Sequence, residues 1–334
     1  MQRFEVLSTW GEHTFRAMGT TATLLLHGGS PAVMTWAEQE LDRLENLWSR
    51  FRPGTDVARL NRGEARPVPV APETIDVVEQ AVALWQTTHG RFDPTVLRAL
   101  EASGYDESFE RVRGRPDAGA RRATAAPAGF PALHFSFPGD QDESRPAPGC
   151  ADIVVDRARA TITLPPGTGL DLGGIGKGAA ADLVTSGVLA RGSLGVCVGL
   201  GGDIRCAGAG PDDGRWHIDV EDPFDEDRVL FTQPIDEGAL VTSTVRFRRW
   251  RQRGIWRHHI IDPATGLPST SGIVAAIVGD ATAARAEALA KAALVAGRNE
   301  GIALLVRAGV TGCLVDDRGQ ATMIEHARHG GLAA

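Results

Sequence analysis

The order of the predicted strands and helices constrains the fold of this 334-residue chain more than any other feature. A strand rich in Thr and Leu, Thr20–His27, comes before the first helices, and the later strands and helices follow one another without a regular strand–helix–strand rhythm. Doubly wound parallel sheets need that rhythm, so the pattern predicts an α+β fold of mixed sheets flanked by helices. The later strands are expected at 152–155, 194–198, 216–220, 259–261, 273–278, 311–315 and 321–324.

Helical periodicity is clearest in the first third of the chain. Apolar residues recur there at i, i+4, i+7 and i+11, and a second helix over 73–89 starts after Pro72 and ends at Gly90. The residues expected to face the core are Ala37, Leu41, Leu44 and Trp48 in the first helix and Val78, Ala81, Val82 and Trp85 in the second. Further helices are expected at 178–189 and 283–296.

One stretch differs in composition from the rest, because residues 111–149 are rich in Pro, Gly, Arg, Ala and Asp. Such a stretch is either a surface insertion or a linker between domains. No complete second domain precedes it. We therefore predict a single domain over 1–334, with a surface insertion at 111–149.

Composition and charge argue against several classes of protein. With 43% hydrophobic and 23% charged residues, the chain is expected to bury a sizeable core. Its net charge of −7 argues against a nucleic-acid partner. The sequence has no apolar run long enough to cross a bilayer and no signal peptide, so we expect a cytoplasmic protein without membrane insertion. The four cysteines lack metal-ligand spacing and are expected to be buried or free thiols.

Two glycine-rich segments are candidates for binding an anion. In residues 171–178, Gly174 and Gly176 come before Lys177 at the start of a predicted helix. Glycines let the backbone approach a ligand, a helix N-terminus offers N–H groups to an anion, and the lysine adds a charge suited to pyrophosphate. In the second segment, Gly202 and Asp203 follow an apolar strand, which would present the carboxylate at the edge of a sheet. Taken alone, each segment is more often an ordinary turn.

Two more segments carry side chains that can transfer protons or cap a turn. Alternation along a strand would direct His258 and His259 to opposite faces, so only one of them is expected to face a site. The pair His259 and Asp262, beside a Pro/Gly turn, is suited to handling a proton. Asp93 precedes a proline, and its simplest role is to cap a turn.

Together and in this order, these segments resemble the FAD:protein FMN transferase family, the ApbE-type flavin transferases. The matching stretches are 18–20, 47–61, 90–96, 171–182, 201–204, 242–243 and 259–266. The resemblance implies a single T-fold-like α+β domain that holds FAD in a cleft. It also implies a reaction in which a Thr or Ser hydroxyl of an acceptor protein attacks the pyrophosphate of FAD, so that FMN becomes attached as a phosphodiester and AMP leaves.

The same resemblance assigns roles to individual residues. His259 with Asp262 is the candidate base or orienting group, and Lys291 is a third catalytic candidate. Mg²⁺ is expected from the family, with Gly176 and Glu287 as candidate ligands. The residues expected to bind FAD are Met18, Gly19, Asp93, Thr95, Gly174, Lys177, Gly202, Asp203, Thr242, Ser243 and His259.

The first departure from the family pattern concerns the helix that commonly binds the metal. In the family, the sequence of this helix is commonly Ala-Asp-Ala-Leu-Ala-Thr. This chain has Glu287 in place of the aspartate and Lys291 in place of the threonine. An ammonium cannot be an oxygen ligand and repels a divalent cation. Either Lys291 occupies the place of the metal in a buried ion pair with Glu287, or the two form a surface pair at i and i+4. Flanking Ala and Leu residues favour the buried pair.

The second departure follows Thr242 and Ser243, where the family commonly has an aromatic residue near the flavin. Here Phe247 or Trp250 takes that role, or neither does. Neighbouring arginines bind phosphate, bind an acidic acceptor protein, or form a solvated basic hairpin. These arginines are Arg246, Arg248, Arg249, Arg251, Arg253 and Arg257. Because the departures cluster at the site, hydrolysis of FAD to FMN and AMP, and FAD binding with impaired catalysis, are the alternatives to transfer.

Overall fold

A computed structural model describes residues 10–115, 144–211 and 213–325 of the chain, with only the backbone of residue 226. The helices are α1 Pro31–Trp48, α2 Asp56–Leu60, α3 Pro72–Thr87, α4 Leu97–Ala102, α5 Phe109–Arg113, α6 Gly176–Ala190 and α7 Ala283–Ala308. The strands are β1 Trp10–Ala17, β2 Thr20–His27, β3 Val68–Pro69, β4 Val154–Asp156, β5 Thr161–Thr163, β6 Gly195–Leu200, β7 Asp203–Gly208, β8 Trp216–Asp222, β9 Asp225–Ile235, β10 Gly238–Thr244, β11 Arg249–Gln252, β12 Ile255–His258, β13 Ile261–Asp262, β14 Leu267–Pro268, β15 Ile273–Asp280, β16 Thr311–Asp316 and β17 Ala321–Ile324.

The main sheet has eight strands in the order β1-β2-β6-β7-β10-β15-β16-β17, and all neighbours are antiparallel. Its two faces are covered differently, as side chains that alternate along β10 show. Val241 packs into the large core formed with α1, α6 and α7, whereas Leu240 packs beneath the β8–β9 ribbon. Helices thus cover one face of the sheet and a two-stranded ribbon covers the other, which confirms the predicted α+β class.

Helices α6 and α7 lie in direct backbone contact where they cross. A Cβ built on Gly178 would lie 2.4 Å from the carbonyl carbon of Ala283, so only glycine allows this approach. Asp182 fixes the crossing, because its carboxylate accepts hydrogen bonds from the backbone N–H groups of Ala283 and Ala284, which begin α7. The crossing places the first turn of α6 against the first turns of α7.

Most of the sequence-predicted elements are present, with some changes at their ends. Strands β2 and β17 and the core face of α1 are as expected, and the cysteines are free thiols. In α3 the buried face begins earlier than expected, with Thr74 and Ile75, and Val82 and Trp85 are only half-buried. The expected strand at 259–261 is wrong, because β12 ends at His258 and β13 begins at Ile261. Helix α7 continues to Ala308, past non-helical backbone at Gly297.

The predicted insertion at 111–149 falls largely on residues 116–143, which lie outside the described residues. Its two ends are part of the ordered fold. Arg111 and Arg113 belong to α5, the backbone N–H of Ala147 donates to the carbonyl of Pro263, and that of Gly149 donates to Thr95 Oγ1. Within the described ranges, no helix is both long and apolar enough to span a bilayer.

Candidate active site

A cavity open to solvent, with about 1230 Å³ of space between the protein atoms, lies beside the crossing of α6 and α7. Its walls come from distant parts of the sequence. They comprise the β1–β2 turn, the end of α1 and the residues after it, the loop before α4, the glycine-rich segment before α6, residues 259–263 and the middle of α7. A concave site that combines aromatic side chains with a few converging charged groups is typical of small-molecule sites.

The glycine-rich segment forms one polar wall and is held in shape by Asp171. The Asp171 carboxylate accepts a hydrogen bond of 2.6 Å from the N–H of Gly173 and forms an ion pair with the buried guanidinium of Arg50, with 2.9 Å between Oδ2 and Nε. Gly174 lies so close to Phe92 that a Cβ would be 2.9 Å from its ring. The prediction of free N–H groups at the start of α6 needs correction. The N–H of Gly176 already donates to the carbonyl of Leu172, and that of Gly178 donates to Glu287 Oε2.

Four charged side chains meet at the floor of the cavity, and we call Lys177, Asp203, Glu287 and Lys291 the ammonium–carboxylate cluster. The Lys177 ammonium lies 2.5 Å from Asp203 Oδ2 and also contacts Glu287 Oε1. Lys291 Nζ donates to the same Glu287 oxygen at 3.1 Å. Glu287 is fully buried, which confirms the expected buried pair with Lys291.

The cluster fixes the charge of its members. Burial disfavours ionisation of Glu287, but the ammonium groups of Lys177 and Lys291 outweigh burial and lower the pKa of Glu287 to about 2. Burial likewise opposes the charge of Lys177, but Asp203 and Glu287 raise its pKa. Burial lowers the pKa of Lys291 and raises that of Asp203. Two ammonium groups therefore face two carboxyl groups in a site largely closed to water.

The donor set of the cluster does not fit Mg²⁺. Both oxygens of Glu287 are already occupied, one by the two lysines and the other by the N–H of Gly178. The described residues contain no group of three or more His, Cys, Asp or Glu side chains arranged to hold a metal ion. Mg²⁺ prefers octahedral oxygen ligands at about 2.0–2.1 Å, and two adjacent ammonium groups oppose its charge. Gly176 lines the cavity, but Glu287, the other candidate ligand, already accepts hydrogen bonds at both oxygens.

His259 lines the cavity and His258 does not, so only one of the two faces the site, as expected, although His259 lies after the end of β12. The backbone N–H of His259 donates to the carbonyl of Arg248, while its Nδ1 has no hydrogen-bond partner among the described residues. Burial, together with Arg248 and Lys291, lowers the pKa of His259 well below 6.5, so the ring is neutral at pH 7. His258 is fully buried, and its ring nitrogens contact the carbonyl of Ser269 and the N–H of Ile260.

The structure does not bring Asp262 to His259. The Asp262 carboxylate accepts a hydrogen bond from the N–H of Ala264 and its carbonyl accepts from Gly266, which is the pattern of a turn-capping aspartate. No hydrogen bond joins His259 and Asp262 in the part of the chain that the structure describes. The sequence pairing of the two residues assumed a continuous strand, and β13 begins only after His259.

The expected flavin-site residues Met18 and Gly19 line the cavity at the tip of the β1–β2 hairpin. Both have positive φ, 54° and 67°, as a two-residue type I′ turn requires. This conformation is strained for methionine, and a hydrogen bond of 2.7 Å from the Met18 N–H to Glu45 Oε2 stabilises it.

Of the remaining residues predicted from the sequence, one lines the cavity and four do not. Asp93 lines the cavity, and its Oδ1 caps Thr95 through both the N–H and the hydroxyl. Thr95, Gly202, Thr242 and Ser243 do not line it. Gly202 forms the tight β6–β7 turn, with φ of 95°, that leads directly into Asp203. The buried Ser243 hydroxyl has no hydrogen-bond partner among the described residues.

The aromatic wall of the cavity comes from residues that the sequence analysis did not single out. Phe247 is exposed and Trp250 lies behind the wall, so neither lines the cavity. Instead, Arg50 lies over the rings of Phe51 and Tyr105, with its guanidinium carbon 4.1 and 4.7 Å from the two centroids. Part of the site can be found from residue counts in the sequence. Tyr105 is its only tyrosine, and Lys177 and Lys291 are its only lysines.

The chain is similar to known proteins over most of its length. The model of the ApbE family matches residues 18–314. The FAD:protein FMN transferase of Vibrio cholerae is 26% identical over 280 residues, which cover 82% of this chain and 76% of that protein. The protein of that name from Treponema pallidum is 25% identical over 303 residues, covering 86% of this chain and 79% of its own length.

Solved structures share the fold as well. The ApbE protein of Thermotoga maritima superposes with a TM-score of 0.77 at 25% identity, covering 95% of this chain and 97% of that one. The apo flavinyl transferase ApbE of Pseudomonas stutzeri gives 0.75 at 23% identity, with 97% and 98% covered. With the family model matching most of its length and this fold, the chain belongs to the ApbE family.

Proposed function

We propose that this protein transfers FMN from FAD to a Thr or Ser hydroxyl of an acceptor flavoprotein and releases AMP. The observation that carries the proposal is the meeting of both lysines, the glycine-rich wall and His259 in one cavity with an aromatic side. The glycine-rich wall and the lysines suit a pyrophosphate, and the aromatic wall suits the flat ring systems of FAD.

The proposed reaction exchanges one phosphorus–oxygen bond for another. The acceptor oxygen bonds to the phosphorus on the FMN side, the bond from that phosphorus to the bridging oxygen breaks, and AMP leaves with the electron pair. Charge develops on the phosphate oxygens, where the ammonium groups of Lys177 and Lys291 stabilise it. Neutral His259 orients the attacking hydroxyl and accepts its proton.

A single experiment separates this function from its alternatives. The protein is mixed with FAD and an acceptor domain, the mass of the acceptor is measured, and AMP is quantified. We expect the acceptor to gain the mass of FMN with one AMP released per adduct, and an acceptor with valine at its attachment site to gain nothing. AMP without adduct would instead identify an FAD hydrolase, and neither product would identify an FAD-binding protein without catalysis.

The charge cluster predicts how activity depends on metal. Because two ammonium groups already balance the buried carboxylates, we expect transfer to continue in EDTA at a rate within about threefold of that in Mg²⁺. The double variant Glu287→Asp with Lys291→Thr should become dependent on Mg²⁺. Transfer rates of both proteins are compared in EDTA and in added Mg²⁺. Complete loss of wild-type activity in EDTA, restored by Mg²⁺, would contradict the expected role of Lys291.

A further inference from the structure

The β11–β12 hairpin presents a basic and aromatic face to solvent. Arg251 lies opposite Trp256 across the hairpin, and Arg249, two positions away along β11, lies on the same face. The guanidinium carbons of Arg249 and Arg251 lie 5.1 and 4.9 Å from the centroid of the Trp256 ring, which is 42% exposed. The two arginines thus flank an exposed tryptophan.

The positive charge of this face is not balanced within the described residues. Neither Arg249 nor Arg251 forms an ion pair with a described carboxylate. Some exposed arginines, such as Arg157, are paired with Asp or Glu, whereas others, such as Arg62 and Arg66, pair with no described carboxylate. What distinguishes Arg249 and Arg251 is that both lie against one exposed tryptophan, which makes a local positive patch in a chain with a net charge of −7.

The hairpin is fixed to the wall of the active-site cavity. Trp250, on its inner face, is buried, donates its indole N–H to the carbonyl of Ser103 at 2.7 Å, and packs 5.2 Å from the ring of Tyr105, which lines the cavity. Arg248, directly before β11, lines the cavity itself and hydrogen-bonds to the carbonyl of Gly19. A macromolecule bound to the outer face would therefore lie beside the cavity.

We propose that the face formed by Arg249, Arg251 and Trp256 is the docking surface for the acceptor protein, and that it binds an acidic patch beside the attachment Thr or Ser. The proposal rests on the proposed function. Tryptophan and arginine are the residues that most often dominate the energy of protein interfaces. Complementary charge also steers a partner and sets its orientation, as delivery of one hydroxyl into a cavity requires. A protein partner is favoured over nucleic acid because the overall charge of the chain repels a polyanion.

The test is a charge-reversed hairpin, Arg249→Glu with Arg251→Glu, against a matched control, Arg62→Glu with Arg66→Glu. The control arginines are also exposed, they do not line the cavity, and the change in net charge is the same. The probe is an acceptor domain whose attachment threonine is flanked by Asp and Glu residues. We expect the hairpin variant to raise the KM for this acceptor about tenfold or more at low salt, with kcat and FAD affinity unchanged. At high salt the difference should shrink to about twofold.

Direct binding measurements test docking independently of transfer. Direct binding of the acceptor to each protein is measured without FAD, so that docking is assessed even if no transfer occurs. Trp256→Ala should weaken binding without altering the charge, and an acceptor with its flanking acidic residues changed to Lys should bind the hairpin variant better than the wild type. Equal acceptor binding by wild type and hairpin variant would overturn the proposal. An equal loss in the control, or equally strong competition by duplex DNA, would do the same.

Discussion

Replacement of Lys177 by methionine is expected to lower the free energy of unfolding by about 3–5 kcal/mol at pH 8 and to reduce transfer by about a hundredfold or more. The variant keeps the length of the side chain but leaves Asp203 and Glu287 buried with one ammonium, that of Lys291, between them. Breaking a buried ion pair from one side leaves an uncompensated charge, which costs more than the intact pair contributes. Urea unfolding and single-turnover transfer measure the two effects.

The loss of stability in the Lys177→Met variant should depend on pH, and the charges of the cluster determine the direction. Burial already raises the pKa of Asp203, and loss of Lys177 removes the charge that opposes this rise. A carboxyl group with a raised pKa in the folded state is stabilising at low pH, and this contribution is lost as the pH rises through that pKa. The loss of stability should therefore be smaller at pH 5 than at pH 8.

Arg157→Met is the matched control for this change. Arg157 also contacts two carboxylates, those of Asp76 and Glu79, but all three side chains are exposed, so its loss should change the free energy of unfolding far less than the loss of Lys177. Equal losses of stability in the two variants would show that removing one ammonium from the cluster does not leave an uncompensated buried charge.

His259→Ala is expected to reduce transfer by about 10²- to 10⁴-fold while leaving FAD affinity within a few-fold of the wild type. The ring lines the cavity, and its Nδ1 makes no hydrogen bond with any described residue, so its removal takes away a group that can serve an incoming hydroxyl. Single-turnover transfer and calorimetry with FAD measure the two quantities. His217→Ala, on the exposed β8–β9 ribbon, is the inert control.

The pH profile of the reaction gives a second measure of His259. Because burial and neighbouring cations lower its pKa well below 6.5, the ring stays neutral through the neutral range. We expect kcat/KM for FAD to show no loss attributable to histidine protonation between pH 6 and pH 7. An activity that falls with an apparent pKa near 6.5, or wild-type turnover by the alanine variant, would assign the base to another residue.

His258→Ala should affect stability, which the sequence does not indicate. The sequence places His258 away from the site and on that basis predicts that His258→Ala affects transfer much less than His259→Ala does, with no prediction for stability. The structure shows a fully buried ring that bonds to the carbonyl of Ser269 and to the N–H of Ile260. The cost of removing a buried side chain depends on its partners, and those of His258 are backbone groups of Ser269 and Ile260, which lie outside the strands.

The parts of the fold and site that the sequence predicts are those set by local pattern. Helix α1 follows from the spacing of four apolar residues, and the lysine of the glycine-rich segment and His259 come from short motifs. Such local patterns do not predict contacts between segments that are distant in the sequence. The packing of Arg50 on Tyr105 and the bridge from Lys177 to Asp203 and Glu287 depend on how the chain folds back on itself. Asp262 was paired with His259 because four neighbouring residues looked like one strand.

The ammonium–carboxylate cluster also makes this chain unusual toward reagents that acylate or alkylate amines. Since Lys177 and Lys291 are the only lysines of the sequence, such a reagent can modify only these two side chains and the α-amino group. The ion pairs and burial of both lysines should make them slow to react, and a bound pyrophosphate would slow them further. The extent of labelling at each lysine, measured by mass spectrometry, thus reports the state of this one cluster without interference from the rest of the surface.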